Sequence, residues 1–196
     1  MRHVVLTGWL CACAFAMACG SPANNSGGAQ KTADASAPPD DIVEVAHGAL
    51  GRDAEALAWG DLPGDGRKQV LAVNRTGKAE GTPGEEFMFT RMTVAENVSG
   101  SWSEVLLCDE HLKNEKGYLI GSPGEAISKW KMSFVKDPSK GLVMTITPMG
   151  EGSDAKGKTL HVRWNPAVMR YQAFDPATDK FTGEVASVEI IQRPLR

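Results

Sequence analysis

The stretch Leu107-Cys108-Asp109-Glu110-His111 places a thiol, two carboxylates and an imidazole side by side. A thiolate with a histidine partner is a nucleophile, and the same groups are partial metal ligands. Neighbours in sequence rarely face one another, and such pairs usually meet through the fold with a third orienting group. Cys108 closes an apolar run, so a small buried residue at a strand end is expected. A secreted enzyme using Cys108 and His111 is the alternative. His47 and His161 stand alone, and alternation with Leu160 and Val162 puts His161 on the solvated face of a strand. None of the H-E-x-x-H, G-x-S-x-G, S-x-x-K or phosphate-loop signatures occurs in the chain, so the commonest hydrolase and nucleotide chemistries have no motif to rest on.

A second set of chemical groups lies in "WGDLPGDGRKQVLAV", residues 59–73. This stretch resembles the FG-GAP or VCBS-type repeat, in which an acidic loop precedes an apolar strand. The resemblance implies calcium, bound by oxygens at alternate loop positions with glycine at the bend. Asp61, Asp65 and Gly66 match that pattern, whereas Pro63 and Gln69 replace expected ligands. Asp61 and Asp65 are therefore the metal candidates, against the plainer expectation of a tight turn feeding a strand. A propeller of such repeats shows its motif about every 40 to 50 residues. Only one copy is visible, which disfavours a propeller.

Three of the four cysteines, Cys11, Cys13 and Cys19, fall in the first nineteen residues, unlike a disulfide framework or a zinc site. Arg2 and His3 lead into the uncharged run Val4 to Ala18, shorter than the about 20 residues of a membrane-spanning helix. Residues 1–18 thus read as an export signal. Ala16-Met17-Ala18-Cys19 resembles the lipobox of bacterial lipoproteins, with Ala16 where the family prefers leucine. Leu10-Cys11-Ala12-Cys13 fits the leucine position better but leaves a very short apolar run. The resemblance implies a diacylglyceryl group on the Cys19 thiol and a membrane partnership through that anchor. Ser21, where the family's retention signal has aspartate, implies the outer membrane in a two-membrane cell. Cleavage after Ala18 without lipid would instead leave Cys19 free to pair with Cys108. Residues 19–40 are rich in Ser, Ala, Asn, Gly and Pro, the composition of a flexible, disordered tether.

Residues 41–196 must position whatever chemistry remains. Period-two alternation recurs in "EFMFTRMTV", "GLVMTIT", "TLHVRW", "MRYQAF" and "SVEIIQ", with Gly, Pro and Asp turns between. In the first, Phe87 and Phe89 are expected on one face and Met88, Met92 and Val94 on the other. The pattern predicts a single all-β, mainly antiparallel domain, a β-sandwich or small open barrel. One or two short helices are expected, at "DEHLKNEKG" between Asp109 and Gly117 and at "RDAEALAW". Trp59, Trp102, Trp130 and Trp164 are expected to pack in the core; an exposed row would bind sugar or a peptide edge. A net charge of −3 without a Lys/Arg run excludes the electrostatic footprint of a nucleic-acid binder. The resulting expectation is a non-catalytic envelope lipoprotein that binds a protein or an envelope polymer. Apart from calcium, no cofactor is expected. The alternatives are the Cys108/His111 enzyme and a calcium-stabilised module.

Overall fold

The computed structural model describes residues 37–77, 81–120, 126–150 and 157–186. The signal and Cys19 readings, most of the tether and the "SVEIIQ" alternation lie outside the described residues. The described chain opens with α1 (Asp40–Leu50). Asp40 and Asp41 oppose the positive end of its dipole, and Gly51 (φ 94°) ends it. Ile42, Ala46 and Leu50, spaced four apart, form its buried face; Ala46 and Leu50 pack against Ala54 and Ala72.

Among the described residues twelve strands then form one sheet that curls into an open half-barrel. Its spine is β3 (Phe87–Val98), which carries β2 (Lys68–Thr76) along one edge, with β1 (Glu55–Asp61) outside that. Two strands share the other edge of β3: β7 (Lys129–Asp137) pairs Phe87 to Phe89, and β4 (Ser101–Cys108) pairs Met92 to Val98. Two arms therefore leave the spine. One runs through β4, β5 (Leu112–Asn114), β6 (Gly117–Tyr118) and β12 (Val185–Ala186). The other runs through β7, β8 (Gly141–Met149), β9 (Leu160–Asn165), β10 (Arg170–Asp175) and β11 (Lys180–Phe181). Residues 182–184 join β11 at the end of one arm to β12 at the end of the other. All pairings among the described residues are antiparallel, as the alternation and frequent turns predict.

The hollow of the sheet is filled by Phe87, Phe89, Met92, Val94, Trp130, Met132, Leu142, Met144, Ile146, Val162, Trp164 and Tyr171. Phe87, Phe89, Met92 and Val94 share this core, which corrects the expectation of opposite faces. The β2–β3 register skips Thr90, since Asn74 pairs with Arg91 and Arg75 with Phe89. One bulged residue reverses the parity of everything beyond it.

One short helix, α1, is present as expected, but both positions suggested for a helix are corrected. "RDAEALAW" runs into β1, held by its ladder to β2. In "DEHLKNEKG" the capping groups are present but close turns instead of a helix. The Asp109 carboxylate accepts from the His111 N–H (3.0 Å), and the Asn114 side-chain carbonyl accepts from the Lys116 (2.8 Å) and Gly117 (3.1 Å) N–H groups. Such side chains satisfy a turn as readily as a helix start. Trp130 and Trp164 are core residues, whereas Trp59 and Trp102 are half-buried.

Candidate functional site

Cys108 lies at the end of β4 with its thiol wholly buried, opposite Met92 on one side and Leu112 on the other. Burial, and secondarily the negative charge of Asp109, push this thiol well above its ordinary range. It stays protonated at neutral pH, the state of a packing residue rather than a nucleophile. His111 is half-buried in the following turn, its ring edge-on to Tyr118 at 5.2 Å. Asp109 is turned to Lys113 (3.5 Å), and its carbonyl accepts from the Trp130 indole N–H at 2.7 Å.

The acidic loop between β1 and β2 closes on itself. Asp61 Oδ1 accepts from the N–H groups of Gly64 (2.7 Å) and Asp65 (3.1 Å), and Oδ2 accepts from Gly66 (3.0 Å). Asp65 accepts from the Arg67 N–H (3.3 Å) and pairs with its Nε (3.2 Å). Leu62 is buried in the core, and its carbonyl accepts from the Leu142 N–H at 2.6 Å. The loop is thereby docked on the β7–β8 turn. Calcium wants six to eight oxygens. Here the two carboxylates already accept from the loop's own N–H groups, Asp65 being turned to Arg67, and this donor set does not fit a calcium cage.

From that loop Arg67 reaches inward. Its guanidinium lies 5.1 Å over the Trp164 ring, and Nη1 donates to Glu96 Oε1 at 3.0 Å. Gln69 Nε2 donates to Glu96 Oε2 (2.7 Å), and the Tyr171 hydroxyl donates to Gln69 Oε1 (2.7 Å). This chain links the loop, β2, β3 and β10. Burial, with Glu96 nearby, pushes the Tyr171 phenol well above its usual range, so it remains a donor. Sequence reasoning missed the whole chain. Gln69 stands out only as a replacement in the calcium-loop pattern and Glu96 only as a polar residue in an apolar strand, with nothing to pair them.

A second polar cluster sits where the ends of the arms meet. Glu184, between β11 and β12, accepts from Asn114 Nδ2 (2.8 Å), Gln172 Nε2 (2.8 Å) and Arg170 Nε (2.6 Å) and Nη2 (3.3 Å). Burial alone would raise its carboxyl. The donors outweigh that, first Arg170, then Asn114 and Gln172, and hold it down at about 2.

The outer side of β9 and β10 carries a depression of about 280 Å³. Leu160, Phe174 and Pro176 supply apolar walls, and Lys158, His161, Asp175 and Thr182 supply polar groups. His161 is half-buried on this outer side, the face that alternation with Leu160 and Val162 predicts, its Nδ1 3.2 Å from the Thr145 hydroxyl and its ring edge-on to Phe174. Arg163 stiffens the adjacent surface. Its guanidinium lies 4.9 Å from Phe174 and 4.3 Å from Phe181, and Nη2 donates to Asp179 at 3.1 Å. Comparisons with protein-family models, curated proteins and solved structures return no match for this chain.

Proposed function

We propose that this protein is an envelope lipoprotein, anchored by a diacylglyceryl group on Cys19, whose β-rich domain binds an envelope polymer without chemical turnover. The anchor reading rests on the Val4 to Cys19 sequence. Each buried methylene contributes about 0.8 kcal/mol, so two or more acyl chains hold a protein at a membrane durably.

The observation that supports polymer binding is the depression beside His161. Apolar walls with a few placed polar groups describe a recognition surface. The groups have charges of both signs and a hydroxyl, which suits a glycan strand with polar edges and apolar ring faces. Cosedimentation of the full-length protein with purified peptidoglycan sacculi tests this. The wild type is expected in the pellet, with the Lys158→Ala/His161→Ala double variant reduced severalfold. Equal pelleting of the two, or none by either, would overturn the polymer reading.

A further inference from the structure

We propose that the domain opens along the seam between β5 and β10, and that Glu184 is the latch that keeps this seam shut. Among the described residues no backbone ladder crosses from β5 to β10. What crosses is side-chain chemistry. Asn114 Nδ2 on β5 donates both to the Tyr171 carbonyl on β10 (2.8 Å) and to Glu184 Oε1 (2.8 Å). The same carboxylate takes Arg170 and Gln172 of β10, so one side chain gathers four hydrogen bonds from both lips of the seam.

Among the described residues the elements on one side of the seam are weakly laddered. Among the described residues β5 and β6 share one pair, Lys113 with Tyr118, and β6 and β12 share two. The β7–β8 ladder by contrast has nine pairs. Glu184 belongs to a strap, residues 182–184, fastened to β10 by the Thr182 N–H and hydroxyl on the Ala173 carbonyl (2.8 and 3.1 Å). A segment held by few ladder bonds and one multiply bonded side chain is where a sheet separates before it unfolds as a whole. Losing the carboxylate takes one shared acceptor from Asn114, Arg170 and Gln172 together. Among the hydrogen bonds of this cluster, the one from Asn114 to the Tyr171 carbonyl then still crosses from β5 to β10. Water then reaches the edge where Tyr171 meets Trp164, whose rings stand 5.4 Å apart.

Native-state hydrogen exchange on the full-length protein tests this. In the wild type at low denaturant, amides of β5, β6 and residues 170–173 are expected to exchange through an opening smaller than global unfolding. In Glu184→Ala those amides should accelerate about tenfold or more beyond any change in β7 and β8. Wild-type seam amides that exchange only through global unfolding would overturn the proposal. So would a variant whose acceleration is uniform over the sheet or nil.

Discussion

Leu62 and Leu142 are joined backbone to backbone, the carbonyl of the first accepting from the N–H of the second at 2.6 Å. This contact converts the acidic β1–β2 loop from an open turn into a plug on the β7–β8 turn. It also depends on the residue beside it. A Cβ on Gly141 would run into the Leu62 carbonyl and stand 2.6 Å from that of Pro63, and the backbone there has φ +72°.

Gly141→Ala is therefore expected to cost about 2 to 4 kcal/mol, combining strain at positive φ with a clash against backbone. Gly183→Ala is the control, since a Cβ there meets nothing within 4 Å. It should stay within about 0.5 kcal/mol of wild type in a urea titration. Equal effects of the two would remove the docked loop from the account.

The loop needs its own carboxylate. Asp61→Ala leaves three backbone N–H donors without their acceptor and should lower stability by about 1 to 2 kcal/mol. Calcium and a chelator should both leave the wild-type melting temperature unmoved, because only a ligand bound by the native state raises it. A rise with calcium that disappears in Asp61→Ala would restore the metal site.

Glu184 makes part of the stability depend on acid. Its folded-state carboxyl lies near 2 against an ordinary 4.5, so the native state holds its proton less readily than the unfolded chain. The contribution is complete above about pH 4.5 and fades as pH falls towards 2; it is on the order of 2 to 3 kcal/mol. The stability gap between wild type and Glu184→Gln should follow that course, wide at pH 7 and closing in acid. A gap that is constant with pH would mean that charge is not what the donors hold.

Cys108 should behave as a core residue. Aromatic disulfide reagents should label it only as the protein unfolds, and Cys108→Ser should cost about 1 to 3 kcal/mol through burial of a hydroxyl. Rapid labelling of the folded protein would show a reactive thiol and reopen the Cys108/His111 enzyme.

The sheet was legible because burial on one face writes itself into alternate residues. Leu142, Met144 and Ile146 are buried while Val143 and Thr145 are half-exposed, and Val162 and Trp164 likewise alternate with His161 and Arg163. What escaped is equally physical. Helix α1 starts after Pro39 with no side-chain cap, although Ile42, Ala46 and Leu50 already marked its face. Asp109 and Asn114 signal a bend without saying which, and a bulge at Thr90 leaves no mark in composition. Gln69 meets Glu96 and Tyr171 across 27 and 102 positions of chain, a closeness only the curl of the sheet creates. The depression escaped for the same reason. His161 and Phe174 come from separate strands, and alternation alone left the histidine facing water.

We propose above all that Cys19 carries a lipid that holds this domain at a membrane. Radiolabelled palmitate supplied to expressing cells tests it most directly. Label is expected on the wild-type protein and none on Cys19→Ala. An unlabelled wild type, or a Cys19→Ala variant that keeps its label, would contradict it.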